Sequence, residues 1–270
     1  MTRARFVSGA GNRFLVVDAW DTPLDGASLA RRLGDAADGV LTITSAPSAA
    51  FRMVVHNRDG SRARMCGNGL RCAALATRLW GRTSGSELDV ETDAGRLDVR
   101  WLDADLIECE VGRPRFTARE VPALGAPRLA LTGLTRSLLA EPVAYALAVG
   151  GPHLVLFVPD VAAVELESIG PLLERHPRFP DRANVHFAER VNDGYRLRTW
   201  ERGAGATRAC GTGAAAVVVA GADLAPAHAA VESAGGTLAV CWAGGDEPVR
   251  VAGPAWDEGP AHSFAMTHTA

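Results

Sequence analysis

Lysine is absent from this sequence: all 28 basic residues of the 270-residue chain are arginine. A pyridoxal phosphate Schiff base needs a lysine amine, so no such cofactor is expected, and any amino-acid carbanion must be stabilised by the protein itself. No apolar run approaches the roughly 20 residues needed to cross a bilayer, and Met1 to Asp18 lacks the apolar core of a signal peptide. A cytoplasmic protein without a membrane partner is therefore expected. Neither sign of charge dominates, since 28 basic and 31 acidic residues leave a net charge of −3 with no run of like charge, so a nucleic-acid partner is not expected. No metal is expected either, because the seven histidines are scattered and no Cys-x-x-Cys or His-Glu-x-x-His spacing occurs. Five cysteines, an odd number thinly spread, argue for reduced thiols rather than a disulfide framework.

What is present is the balance of an ordinary globular protein, 47% hydrophobic and 22% charged, of a length that suits one large or two compact domains. Short apolar or alternating segments bounded by Gly, Pro or Asp read as strands. In the first half these are Phe14 to Val17, Val40 to Thr44, Phe51 to His56, Leu88 to Thr92, Leu97 to Trp101 and Leu106 to Val111. The second half offers Tyr145 to Val149, Leu154 to Val158, Ala183 to Ala188, Tyr195 to Trp200, Thr237 to Cys241 and Val249 to Ala252. Helices are expected over Asn68 to Leu79 and Gly213 to Ala220, with weaker signals over Leu29 to Gly34 and Leu134 to Leu139.

An internal repeat organises these elements. Phe51 to Cys66 and Tyr195 to Cys210 each run strand, turn, cysteine, glycine, helix, at an offset of 144 residues, and Glu91 to Val99 resembles Glu232 to Val240 at an offset of 141. The expected fold is thus a duplicated α/β (α+β) unit, two similar halves related by pseudo-twofold symmetry across a cleft. The expected domains are 1–115, carrying Cys66, and 116–255, carrying Cys210, with the boundary near the proline-rich segment Arg113 to Pro122.

The two motifs read Met65-Cys66-Gly67-Asn68-Gly69 and Ala209-Cys210-Gly211-Thr212-Gly213. A thiol at a helix start meets unpaired N–H groups and the positive end of the helix dipole, which lowers a cysteine pKa from ~8.5 towards ~3.5 to 7.5. The glycines leave space for an anionic carboxylate to reach the same N–H groups. If both motifs face one α-carbon, one thiolate removes the α-proton and the opposite thiol returns a proton to the other face, inverting configuration without a cofactor. Alone, a Cys-Gly-x-Gly marks a buried cysteine before a tight turn more often than a site, but two copies in register favour function. Cys72, Cys109 and Cys241 are assigned to packing.

Nine residues before each cysteine a strand ends, at Asn57 and at Glu201. Asn57 suits hydrogen bonding to a substrate amine or carboxylate, and Arg202 suits a bidentate clamp on a distal carboxylate. Glu201 beside a thiol would raise its pKa, whereas a cationic His153 would lower it, so the pair can poise one sulfur protonated and the other ionised.

These residues resemble the diaminopimelate epimerase family over nearly the whole chain. The match comprises Gly9-Ala10-Gly11-Asn12, Asn57-Arg58-Asp59-Gly60, the Cys66 motif, Gly150-Gly151-Pro152-His153, Ala183-Asn184-Val185, and Glu201-Arg202-Gly203-Ala204-Gly205 leading to Cys210-Gly211-Thr212-Gly213. The resemblance implies Cys66 and Cys210 as the acid/base pair and His153 and Glu201 as residues tuning the thiols. It implies Asn12, Asn57, Asn184, Glu201 and Arg202 as substrate contacts, and Gly67, Asn68, Gly211 and Thr212 as the α-carboxylate cradle. It implies halves built as mostly antiparallel sheets curled around a central helix, with 256–270 returning to the first half. The implied reaction is LL-diaminopimelate to meso-diaminopimelate, in lysine and cell-wall biosynthesis, and a homodimer is expected. Departures gather on the substrate side: Arg13 replaces the family's aspartate, Gly151 its asparagine and Ala206 its glutamate. A different α-amino acid, or a binding paralogue without catalysis, are the alternatives these suggest, and proline racemase-like enzymes share the two-thiol logic.

Overall fold

The computed structural model describes residues 3–116, 128–129, 143–222 and 227–261. The chain divides into two compact units, one formed by Met1–Glu110 with Ala252–Ala270, the other by Val111–Val251.

In the first unit β1 (Ala4–Gly9) and β2 (Asn12–Asp18) form a hairpin, α1 (Gly26–Leu33) crosses over, and β3 (Gly39–Thr44) returns parallel to β2. Next come β4 (Phe51–Asn57), the short β5 (Arg62–Ala63) and α2 (Gly67–Leu79), followed by β6 (Glu87–Thr92), β7 (Gly95–Trp101) and β8 (Leu106–Gly112). The second unit repeats this order. A two-residue β9 (Arg128–Leu129) precedes β10 (Val143–Ala148), β11 (Pro152–Phe157), α3 (Leu166–Glu174), β12 (Asn184–Val191), β13 (Gly194–Glu201) and β14 (Gly205–Thr207). Then follow α4 (Gly211–Gly221), β15 (Ala227–Ser233), β16 (Gly236–Trp242) and β17 (Val249–Pro254), while β18 (Trp256–Pro260) pairs antiparallel with β1. Pairing is mostly antiparallel, with one parallel step across each helix-bearing connection: β2 with β3, β4 with β6, β11 with β12 and β13 with β15. The fold is mixed α and β, dominated by sheet.

α2 packs against β1, β2, β3, β4, β7 and β18, and α4 against β10, β11, β12, β13, β15 and β16. Both helices are surrounded by strands, which favours small and apolar residues along them; Asn68, Arg71 and Thr77 of α2 are the buried polar exceptions. α4 reads GTGAAAVVVAG and buries Ala214 to Ala220 without interruption. Each unit has its own apolar core. Leu15, Val17, Leu29, Leu33 and Val40 form one cluster under α1, and Leu154, Leu156, Ile169, Leu173, Val185 and Phe187 one under α3. Each large side chain so buried contributes about 1.5–3 kcal/mol.

Six strands, β1, the short β5, β9 and β14, β15 and β18, and the helix α3 were not anticipated from the sequence. α3 contains Gly170 and Pro171, both helix breakers by composition, but Gly170 is required there because the Trp200 indole lies where a side chain would project. The weaker helix expectation at Leu29 to Gly34 corresponds to α1, whose N-cap Asp25 accepts from Ser28 N. Leu134 to Leu139 lies outside the described residues, as does the 262–270 part of the returning segment. Cys241 departs from the packing role assigned to it: β16 alternates, and Cys241 falls on the outward face with Thr237 and Ala239 and is exposed.

Candidate active site

Both motif cysteines are helix N-caps with extended backbone, Cys66 at φ −144°, ψ 116° and Cys210 at φ −135°, ψ 112°. Each sulfur accepts from the third residue of its helix, Cys66 Sγ from Gly69 N at 3.4 Å and Cys210 Sγ from Gly213 N at 3.3 Å. The first intrahelical bonds are Leu70 N to Cys66 O and Ala214 N to Cys210 O. The N–H groups of Gly67, Asn68, Gly211 and Thr212 therefore precede any intrahelical acceptor, the arrangement that receives a carboxylate.

Around Cys66, Asn68 is buried and forms the middle of a polar chain. Asn68 Nδ2 donates to Asn12 Oδ1 at 2.7 Å, and Asn12 Nδ2 to Asp38 Oδ2 at 3.4 Å, while Asp38 also accepts from Arg13 N at 2.9 Å. Asn12, Gly67 and Asn68 are thus gathered at one helix start. Asn57 ends β4 and is exposed in a turn, its Nδ2 donating to Ser61 Oγ at 3.0 Å. Cys66 itself is half-buried.

Around Cys210 the partners differ. Thr212 Oγ1 lies 3.4 Å from Cys210 Sγ, and Thr207 Oγ1 donates to Glu201 Oε1 at 2.7 Å. Burial pushes the Cys210 thiol pKa well above its ordinary value, the Glu201 carboxylate pushes it further, and bonds from Thr212 and Gly213 N oppose both. The helix-start expectation of a lowered pKa does not hold for Cys210, because desolvation outweighs the dipole. Asn184 Oδ1 accepts from Arg202 N at 3.0 Å and its Nδ2 donates to Pro152 O at 3.3 Å, while Arg202 Nη1 donates to Asp181 O at 2.9 Å. Asn184, Glu201 and Arg202 therefore cluster at the ends of β12 and β13. Glu174, buried in α3, secures that turn by accepting from Trp200 Nε1 at 2.9 Å and Gly203 N at 3.1 Å.

His153 departs from the expected cationic role. It is fully buried, and desolvation lowers its pKa to about 4. Its Nε2 contacts Val149 O at 3.0 Å and its Nδ1 contacts His186 Nε2 at 2.7 Å, with His186 Nδ1 3.1 Å from Thr199 Oγ1. A carbonyl can only accept, so Nε2 of His153 carries the proton, His186 donates to His153, and Thr199 donates to His186. His153 is neutral at neutral pH, with both ring nitrogens engaged, so it supplies no positive charge to a thiol. His186, Thr199, Thr207 and Glu174 were not singled out in the sequence, since their partners lie on other elements.

The departing positions are also placed. Arg13 folds onto the surface, its Nε on Glu258 Oε2 at 2.6 Å and its guanidinium 3.9 Å from the Phe6 ring centroid. Ala206 is exposed on β14 opposite Trp200. At Gly151 an added Cβ would meet only Asn184 Nδ2, at 3.8 Å, so the backbone has room for a side chain there. Burial pushes up the pKa of Cys72 and Cys109, in keeping with packing roles. Among the described residues no group of three or more His, Cys, Asp and Glu could hold a metal ion, and no helix is long and apolar enough to cross a membrane.

Two repeated units, each presenting a cysteine at the glycine-led start of an enclosed helix, define an isomerase of the amino-acid epimerase class. The family model described as diaminopimelate epimerase matches residues 6–117 and 145–256. A diaminopimelate epimerase of Desulforudis audaxviator is 38% identical over 260 residues, covering 92% of this chain and 94% of that protein. The chain belongs to the diaminopimelate epimerase family. The same fold recurs in a phenazine biosynthesis protein of the PhzF family from Bacillus anthracis, at a TM-score of 0.72 and 17% identity over 95% of this chain and 97% of that one. A hydroxyproline epimerase from Agrobacterium vitis matches at a TM-score of 0.68 and 17% identity, over 96% of this chain and 91% of that one.

Proposed function

We propose that this protein converts LL-diaminopimelate to meso-diaminopimelate by two-thiol proton transfer. Cys66 and Cys210 are the acid/base pair: a thiolate takes the α-proton, and the other sulfur, as thiol, protonates the opposite face of the planar carbanion. The observation that carries the reading is the matched capping geometry of two cysteines, repeated at an offset of 144 residues. In this reading Gly67, Asn68, Gly211 and Thr212 receive the α-carboxylate, each well-placed donor worth ~3 to 4 kcal/mol on the developing charge. Asn12, Asn57, Asn184, Glu201 and Arg202 contact the rest of the substrate, and Glu201 keeps Cys210 protonated until it is needed. His153 orders the surroundings as a neutral ring. The reaction then belongs to lysine and cell-wall biosynthesis in the cytoplasm, where thiols stay reduced, with the chain as a homodimer.

A second reading, inversion of another α-amino acid, is favoured by the space at Gly151 beside Asn184 and by Arg13 being held on Glu258. A site that lacks one polar contact loses discrimination against substrates that never needed it. The test is α-proton exchange in deuterated water with diaminopimelate and a panel of amino acids. Exchange with inversion of diaminopimelate, reduced at least about 10³-fold by Cys66→Ser or Cys210→Ser, is expected. Exchange surviving both substitutions rejects the two-thiol reaction, and tight binding without exchange indicates a binding protein.

A further inference from the structure

Arg71 lies in α2, five residues after Cys66, and is 0% exposed. Its Nη2 donates to Asn68 Oδ1 at 2.5 Å. Nη1 lies 3.9 Å from Cys109 Sγ, which itself donates to Gly67 O at 3.6 Å. Nε has no acceptor, and among the described residues no carboxylate stands in salt-bridge contact with this guanidinium. A guanidinium keeps its charge when buried, so this positive charge is enclosed with no carboxylate in contact among the described residues. Both of its links run to the opening residues of α2, one to the Asn68 side chain and one through Cys109 to the Gly67 carbonyl. The equivalent position of α4, 144 residues on, is Ala215.

We propose that Arg71 is a positioning residue that makes the start of α2 an anion-receiving end, its counter-charge supplied by the Cys66 thiolate and by the substrate carboxylate. Arginine has only donors, so Asn68 must turn Oδ1 towards it. Asn68 Nδ2 is thereby committed to donate, as it does to Asn12, and the amide cannot flip to present an acceptor to a carboxylate. The cation adds to the helix dipole at the same end. The carboxylate half of this inference rests on the proposed function; the thiolate half does not.

The experiment therefore reads the sulfur directly, as the pH midpoint of iodoacetamide alkylation of Cys66 in the full-length protein, followed by mass spectrometry. Arg71→Gln should raise that midpoint by at least about half a pH unit, and Arg71→Lys, which retains the charge, should leave it near the parent value. Both variants should raise the KM for diaminopimelate, about tenfold, since neither reproduces the paired contacts to Asn68 and Cys109. An unchanged midpoint in Arg71→Gln, or an equal shift in Arg71→Lys, overturns the proposal. If Arg71→Gln does not fold by circular dichroism, Arg71→Met replaces it with a neutral apolar side chain that a buried position accepts: a raised midpoint supports the inference and an unchanged one overturns it. Loss of the proposed epimerase activity in the parent protein would leave the alkylation result standing, so the two readings fail separately.

Discussion

Behind the two capped helices the same three strand positions carry opposite chemistry. In the first unit Phe14, Leu41 and Val55 occupy them, all buried and apolar; in the second they are His153, His186 and Thr199, equally buried and bonded to one another. The registers make the equivalence explicit, since Phe14 pairs with Gly39 as His153 pairs with Asn184, and Leu41 pairs with Val55 as His186 pairs with Thr199. Leu41 lies beneath Gly69, and His186 beneath Gly213, the residues whose N–H groups hold the sulfurs. In front, the asymmetry is of charge: a buried cation joins Asn68 in one unit, and a carboxylate raises the Cys210 pKa in the other. Duplication supplied one scaffold, and substitution made its copies unequal. Such inequality suits a reaction in which one sulfur starts ionised and the other protonated.

The comparison breaks most visibly at the glycines. A Cβ on Gly213 would lie 2.3 Å from the His186 ring, whereas one on Gly69 would meet Leu41 Cδ2 at 3.1 Å. Gly213→Ala should destabilise by about 3 kcal/mol and Gly69→Ala by about 1 kcal/mol or less, read from denaturant midpoints. Equal effects would mean that the two helix starts are packed alike after all.

Removing the polar set is the next test. His186→Leu leaves the His153 Nδ1 without a donor and should cost about 1–3 kcal/mol, while the combined change to the Phe, Leu and Val of the first unit should recover part of that loss. The same histidines set a pH dependence. His153 has its pKa lowered from 6.5 to about 4 in the fold, and that of His186 is lowered as well, so the unfolded chain binds more protons between those limits. Their stabilising effect is complete above about pH 6.5 and is lost as pH falls towards about 4. Thermal melts of the parent protein should fall across that window, and those of the triple variant should fall less.

The smallest expected effect concerns Glu201. Replacing it with Gln removes one of the two influences that raise the Cys210 pKa but leaves burial, the larger, in place. The pH midpoint for Cys210 alkylation should drop by about one unit while that of Cys66 stays unchanged. A midpoint that does not move would assign the elevation to desolvation alone.

The helices bearing Cys66 and Cys210 were legible because their signals are local: an N-capping residue, glycines, then an alanine-rich run, twice at one spacing. Most strands were legible by alternation. β18 was not, since Trp256–Pro260 has the composition of a turn and becomes a strand only by pairing with β1, some 250 residues earlier. β15 was missed because Ala227–Ser233 has few β-formers and takes its register from β16. At the site, residue types were readable and protonation was not: His153 was read as a cation because its burial depends on His186, 33 residues away.

The sequence by itself determined the repeat, the two capping cysteines and the closure of the lysine route, because each is a matter of residue identity and spacing along the chain. Tertiary structure alone decided which groups are dry, which nitrogen holds the proton, and which thiol has its pKa raised. Those properties depend on desolvation and on neighbours supplied by distant strands, and spacing along the chain does not record them.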